Sequence, residues 1–270
     1  MMKKHVFAIC AYKESPFLEE CIRSIKEQTV QSNVIITTST PNEYIRELSE
    51  KYQIPLYVNE GEKGITQDWN FAYSKADAEY VTIAHQDDVY LTEYSKCLVE
   101  QLRKKEDALI AFTDYSELRN GIQKSDGKNL KIKRILLSPM KKKMGSEKKV
   151  WKRFVLRFGN AICCPTVTYH KTKLDKLLQE RQQQQLFQQH FRSNLDWQTW
   201  EWLSCEKGRF IYIPQILMSH RIHEESETSV TIQDNLRGRE DYEMFCKFWP
   251  KSIARLLTRL YSESEKSNEL

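Results

Sequence analysis

Two adjacent carboxylates, Asp87 and Asp88, close the apolar run in "VTIAHQDDVYL" (81–91). At the tip of a buried strand they repel each other unless a cation lies between or beside them. A second cluster of reactive groups stands far down the chain in "SHRIHEESETS", with His220, Arg221 and His223. Carboxylates joined by a neutral imidazole suit a divalent cation, and such a cation is one way to neutralise a diphosphate. The usual alternative is a glycine-rich loop whose backbone N–H groups cradle phosphate. This chain has eight glycines, no G-x-x-x-x-G-K-[ST] and no G-x-G-x-x-G. The rival account of the pair is structural, with Asp88 capping a helix over "VYLTEYSKCL". Lone histidines, likewise, are more often structural than ligands.

The elements that would hold these groups alternate between strand and helix. Apolar runs at 5–12, 33–38, 54–58, 79–84 and 108–114 read as strands. After the first, Ser15 offers an N-cap and Pro16 a first helical position, and Leu18, Cys21, Ile22 and Ile25 recur at helical spacing. A helix running through Leu48 and helical patterns at 66–76 and 90–105 fill the gaps. This repetition implies a largely parallel sheet covered on both faces, with ligands at the carboxyl ends of its strands, where "YKES", "TSTPNE", "NEGEKG" and "HQDD" fall. The second half is less regular. Residues 160–170 read as a strand, 173–190 as a helix with the glutamine run 182–185 on its surface, 195–208 as an amphipathic helix and 209–214 as a strand. A final helical region runs from Arg239 to Tyr261 with a break at Pro250.

Three segments, taken in order, resemble the family 2 glycosyltransferases of the GT-A fold, inverting enzymes that use nucleotide-activated sugars. They are "ICAYKESPFLEECIRSIKEQT", "GITQDWNFAYSKADAEYVTIAHQDDVYL" and "LDWQTWEWLSCEKGRFIYIPQILMSHRIHEESETS", and with their connections they cover most of residues 4–230. The resemblance implies a GT-A-like, Rossmann-like α/β fold: a mixed, mainly parallel sheet between helices, with a helical C-terminal extension. It implies a Mn2+ or Mg2+ ion at Asp87, with Asp88 and His223 assisting. It places the donor nucleotide sugar against Ala11, Tyr12, Glu14, Thr38, Asp68, Asn70, Gln86, Asp87 and Arg221. Gln86 or His85, depending on register, stands where the family's D-x-D motif has its first acid, so the site carries one negative charge fewer. "TTSTPNE" replaces the acidic pair that usually follows the second strand, and Asp68 is a substitute partner for the base; helix N-terminal electrostatics explains Asp68 equally well.

Asp196 matches the family's catalytic base. Leu195, Trp197 and Trp200 beside it would raise its pKa towards a useful range, while N-capping by Asn194 or Asp196 is the plainer explanation. Ser226, Thr228 and Ser229 read as phosphate contacts or turn-formers, with turns favoured.

At 270 residues the chain can bury a full core, and no run of apolar residues is long enough to span a membrane. Its start reads as a strand rather than a signal peptide, and seven cysteines without C-x-x-C spacing suit reduced, mostly buried thiols in a cytosolic protein. Residues 128–157 carry twelve Lys/Arg against Glu147 alone, which is +11 of a chain whose net charge is +5, so the remainder is −6. Such a block is either a solvated loop or a surface for anions such as lipid headgroups or a phosphorylated acceptor. With few interleaved aromatics and no recognised module, it does not suit nucleic acid.

Residues 1–120 are therefore expected to form a nucleotide-sugar-binding half, and 121–157 a basic, partly mobile connector. Residues 158–235 would form the acceptor-binding and catalytic-base half of the same domain, and 236–270 a helical extension. The expected activity is transfer from a UDP-, dTDP- or GDP-sugar to a glycan or lipid-linked hydroxyl in cell-surface polysaccharide synthesis. Its place would be the cytoplasm, peripherally at the inner face of the plasma membrane, with no oligomeric state assigned. A sugar nucleotidyltransferase and a non-catalytic binding or scaffold protein are the alternatives.

Overall fold

The computed structural model describes residues 4–223 and 236–266. Strands β1 (His5–Ala11), β2 (Asn33–Thr38), β3 (Leu56–Val58) and β4 (Tyr80–His85) alternate with helices α1 (Leu18–Lys26), α2 (Glu43–Lys51) and α3 (Ile65–Lys75). These four strands are parallel, in the order β3-β2-β1-β4. A short β5 (Val89–Tyr90) and α4 (Tyr94–Lys104) lead to the long β6 (Ala108–Arg119) and its hairpin partner β7 (Ile122–Lys124). The sheet is completed by β8 (Val167–His170), antiparallel between β4 and β6, and by β9 (Arg209–Arg221), parallel to β6 and antiparallel to β5.

Both faces of the sheet are covered, as the continuous apolar runs require. Along β1, Val6 and Ala8 enter one core with Trp69, Trp197 and Trp200, while Phe7, Ile9 and Ala11 enter the other with Ile22, Ile45 and Leu98. The spacing read in α1 is the buried stripe: Leu18, Cys21, Ile22 and Ile25. Ser15 and Pro16, however, precede the helix, because α1 begins at Leu18 and Ser15 Oγ instead accepts the Phe17 N–H at 3.3 Å.

Other departures have local causes. The segment 90–105 is divided between β5 and α4, with Leu91–Glu93 as a turn. Only 167–170 of the stretch 160–170 is a strand; Cys164–Thr166 forms a 3-10 turn around Pro165, which has no N–H for a ladder. Helix α8 (Lys171–Glu180) stops well short of residue 190: Gln182 takes φ 54°, and Leu186 and Phe187 drop into the core. The glutamine run therefore lies outside any helix. Strand β9 continues to Arg221, so His220 and Arg221 belong to a strand rather than a loop.

The basic stretch folds. It contains α5 (Lys128–Leu137), a 3-10 turn at Ser138–Lys141, α6 (Lys143–Glu147) and α7 (Lys149–Leu156). Several of its cations turn inward onto specific acceptors. Arg134 Nε lies 2.6 Å from Asp114 Oδ2, and Arg153 binds Glu201 and the Lys247 carbonyl. The fully buried Lys152 donates to the carbonyls of Glu206 (2.7 Å) and Gly208 (2.8 Å), oxygens that the end of α9 (Leu195–Cys205) leaves nearby. Lys128, Lys131, Lys141–Lys143, Lys148 and Lys149 remain on the surface. The C-terminal α10 (Leu236–Cys246) and α11 (Lys251–Lys266) pack beside α9, where the rings of Phe245 and Tyr261 meet Trp197. No helix among the described residues is long and apolar enough to cross a membrane.

Candidate active site

The parallel strands deliver their loops to one edge of the sheet. Since β1 and β4 are neighbours, with Cys10 beside His85, the Gln86 side chain reaches Tyr12 just past Ala11. Its Oε1 accepts the Tyr12 N–H at 2.9 Å and its Nε2 donates to the Tyr12 carbonyl at 3.1 Å, extending the pairing by one residue. The Lys13 N–H then reaches Thr40 Oγ1 at 2.6 Å, joining this loop to the one after β2. Asp68, in the first turn of α3, accepts from Ser39 Oγ at 2.8 Å and from Asn59 Nδ2 at 3.1 Å. The carboxylate is thus fixed where the loops after β2 and β3 meet. Tyr12 and Glu14 are exposed at this mouth. Two of the expected donor contacts are otherwise engaged. Thr38 is buried and its hydroxyl accepts the Thr40 N–H, while the Asn70 amide clamps the Phe187 carbonyl (2.8 Å) and N–H (3.0 Å).

Asp87 and Asp88 have separate environments. Asp88 is fully buried, and its Oδ1 accepts the Arg221 N–H and His220 Nδ1, each at 2.9 Å. Asp87 instead meets His223 Nε2 through Oδ2 at 2.9 Å. Burial would raise the Asp87 pKa, but the His223 hydrogen bond and the neighbouring imidazoles of His85 and His220 outweigh it, and the carboxyl is held below its usual range. His220 behaves conversely: burial opposes its protonation, yet the Asp88 carboxylate prevails and its pKa is raised. The Arg221 guanidinium staples the turn rather than standing free, with Nε on the Asp87 carbonyl at 2.8 Å, Nη2 on Glu20, and Cζ 4.3 Å from the centre of the Phe17 ring.

The cation that such a pair demands has a ready donor set. Ligand atoms of His85, Asp87 and Asp88 all lie within 4.8 Å of one another. Burial lowers the His85 pKa in spite of both aspartates, so the ring keeps a lone pair, and it packs against Trp69 at 5.0 Å between centroids. Asp88 Oδ2 and His85 Nε2 are buried without a hydrogen-bond partner, which such atoms rarely tolerate unless an ion or water completes them. Oxygen and imidazole donors of this kind fit Mg2+ or Mn2+.

Asp196 lies in the first turn of α9. Trp197 and Trp200 are buried in the core, and the Trp197 indole N–H is anchored on the Leu156 carbonyl at 3.1 Å. Asp196 Oδ2 accepts from Asn160 Nδ2, and Oδ1 from the Trp197 N–H, each at 2.6 Å. Burial raises the carboxyl's pKa against these two hydrogen bonds and the positive charges of Arg237 and Lys133. The plainer capping account fails for Asn194, whose side chain donates to Asp241 at 2.7 Å; Glu240 of α10 instead accepts the N–H groups of Arg192, Ser193 and Asn194. The charges of Asp87, Asp88 and Asp196 all act to raise the His85 pKa against burial, and those of Asp88 and Asp196 help to raise that of Cys163.

His85, Asn160 and Lys133 were not singled out for these roles by the sequence. Lys133 lay inside an undifferentiated basic block, yet its Nζ reaches inward to Tyr115 Oη at 2.9 Å, and the Tyr115 ring meets His220 at 6.3 Å. Ser226, Thr228 and Ser229 lie outside the described residues.

Residues 6–194 match the family model described as glycosyl transferase family 2. Among solved structures, a mannosyltransferase, PcManGT from Pyrobaculum calidifontis in complex with GDP-Man and Mn2+, aligns with a TM-score of 0.66 at 14% identity, over 97% of this chain and 70% of that one. Residues 1–349 of S. aureus TarS in complex with UDP-GlcNAc align with a TM-score of 0.64 at 14% identity, over 94% and 70%. No curated protein sequence matches the chain. The structural likenesses establish the GT-A architecture that the family resemblance implies, and the parallel strands β1–β4 are those that the strand-helix alternation implies.

Proposed function

The chain belongs to glycosyl transferase family 2, and from that premise we propose that it moves a sugar, with inversion, from a nucleotide-sugar donor to an acceptor hydroxyl. The donor is a UDP-, dTDP- or GDP-sugar; the acceptor is a glycan or lipid-linked saccharide of cell-surface polysaccharide synthesis, at the cytoplasmic face of the plasma membrane. The observation that carries the reading is the donor set of His85, Asp87 and Asp88 past the end of β4, with Asp88 Oδ2 and His85 Nε2 buried and without hydrogen-bond partners. Displacement at an anomeric carbon needs a base for the acceptor hydroxyl and positive charge at the leaving diphosphate, roles that Asp196 and the His85–Asp87–Asp88 set would fill.

Each residue then has a task. Asp196 takes the proton of the acceptor hydroxyl. Asn160 and the Trp197 N–H aim its oxygens, and its raised pKa makes it a better proton acceptor than an exposed aspartate. The nucleoside would rest at the mouth formed by Tyr12, Glu14, Asp68 and Gln86, where Asp68, held by Ser39 and Asn59, has remaining lone pairs to offer the base. His85, Asp87 and Asp88 would hold Mn2+ or Mg2+, with His223 bracing Asp87. When bound, that ion stabilises negative charge on the departing nucleoside diphosphate. Arg221 and His220 keep the two carboxylates apart and correctly turned. Alignment of donor and acceptor supplies much of the remaining acceleration.

Thermal-shift screening of nucleotide sugars with Mn2+ tests the reading without knowledge of the acceptor, since a bound donor stabilises the fold by mass action. One class of donor should raise the melting temperature and be slowly hydrolysed, and Asp196→Asn should keep the shift and lose the hydrolysis. A protein that no nucleotide sugar stabilises would be a scaffold, and one that releases pyrophosphate from a nucleoside triphosphate and a sugar phosphate would be a nucleotidyltransferase.

A further inference from the structure

We propose that α11 seats the protein on an anionic membrane surface, with Ile253, Leu256 and Leu260 entering the headgroup region. One face of this helix is already used: Ala254 is fully buried and Tyr261 packs on Phe245 at 5.8 Å. A second apolar stripe, Ile253, Leu256 and Leu260 at i, i+3 and i+7, faces outward with exposures of 40%, 58% and 54%. Side chains at that spacing share a face, and water gives such a stripe no reason to exist on a helix whose core-facing side is complete. Lys251, Arg255 and Arg259, all exposed and at i, i+4 and i+8, form a row of cations along the same helix. Glu263, an exposed acid three residues beyond Leu260, marks the C-terminal end of the stripe on the same face.

The helix's approach adds interfacial aromatics. Trp249, one residue before Pro250, packs against the exposed Phe158 at 5.6 Å between centroids. The Trp249 indole N–H is held by the Arg157 carbonyl at 2.7 Å, and the Arg157 guanidinium lies 3.9 Å from the centre of its ring. An apolar stripe, a cationic row on the same helix and a half-exposed Trp are the parts of a helix that lies in a bilayer surface. Anionic headgroups satisfy the cations. The proposal is independent of the transferase reading.

Co-sedimentation with vesicles tests it. The whole chain should pellet with vesicles of equimolar phosphatidylglycerol and phosphatidylcholine, bind weakly to phosphatidylcholine alone, and be partly released by raised salt. Leu256→Asp with Leu260→Asp should weaken binding by about tenfold or more, and Arg255→Glu with Arg259→Glu should abolish the preference for the anionic vesicles. Both pairs are exposed, so circular dichroism should find the fold intact. If either double variant leaves binding unchanged, or if the wild type ignores anionic vesicles, the proposal is wrong. A stable dimer in sedimentation velocity that Leu256→Asp with Leu260→Asp dissolves would also overturn it, by assigning the stripe to a second copy.

Discussion

Acid should destabilise this protein through one residue in particular, His5. The ring is 4% exposed at the start of β1, with Nδ1 2.7 Å from Ser32 Oγ and Nε2 2.9 Å from Thr82 Oγ1. Thr82 continues the chain of hydroxyls to Thr168 Oγ1 at 2.7 Å, tying β1, β4 and β8 together below the strand ends that carry the site. Burial pushes the His5 pKa down from 6.5 to about 3. A histidine whose folded pKa is depressed binds its proton more readily in the unfolded chain, so stability rises with pH wherever only the unfolded form is protonated. Its contribution is complete above the unfolded pKa and declines as pH falls from 6.5 towards about 3. At about pH 5 the loss is about 2 kcal/mol, 1.36 kcal/mol for each unit below 6.5. That figure depends on the unfolded value alone, because the folded pKa lies well below. Urea unfolding at about neutral pH and at about pH 5 measures it when wild type is compared with His5→Gln. The substitution costs some stability at both pH values by disturbing two hydrogen bonds, but the difference of differences cancels that loss and every other titrating group. Wild type should lose about 2 kcal/mol more than the variant on acidification. Equal losses would mean that His5 already accepts a proton in the folded state, and the reasoning would fail.

Asp87→Asn and Asp196→Asn should each abolish transfer, but only the former should weaken metal-dependent nucleotide binding; calorimetry finding equal loss in both would refute the division of roles. The acid limb of kcat/KM should lie above the ordinary aspartate range, because burial raises the Asp196 pKa, and Lys133→Gln should move it higher still by removing a cation that holds it down. An unmoved limb in Lys133→Gln would place that ammonium outside the field of the base. Gly145→Ala should destabilise the chain by several kcal/mol in urea unfolding, since a Cβ there would come within 1.9 Å of the Pro139 carbonyl oxygen; a change below about 1 kcal/mol would show that the 3-10 turn gives way.

What the sequence made legible follows from the range of the forces involved. The strands and helices of the first half are local patterns, and the stripe of α1 could be read residue by residue because helical period and burial agree there. A left-handed residue such as Gln182 leaves no comparable trace, since its conformation follows from Leu186 and Phe187 being drawn into the core beyond it. Charge is less legible still. Twelve cations in one stretch read as a surface, yet Lys133, Arg134, Lys152 and Arg153 each find an acceptor inside the fold, and those acceptors come from distant strands and helix ends.

The carboxylate pair shows the same limit at the centre of the site. Sequence reading makes Asp87 the metal-binding aspartate and Asp88 its assistant or a helix cap, but nothing local shows how two adjacent acids at a strand tip are kept apart. The difference is imposed from the far end of β9, whose Arg221 N–H and His220 ring seize one oxygen of Asp88 and leave its other oxygen unpartnered beside His85. Arg221 meanwhile anchors the Asp87 carbonyl, so the Asp87 carboxylate turns the other way, towards His223. Two like charges can therefore be neighbours in the chain without sharing an environment. The buried one accepts from the His220 ring, whose pKa it raises, and the other has its own pKa lowered by its imidazole neighbours. His85, Asp87 and Asp88 would thus hold an ion with carboxylates that β9 has already oriented.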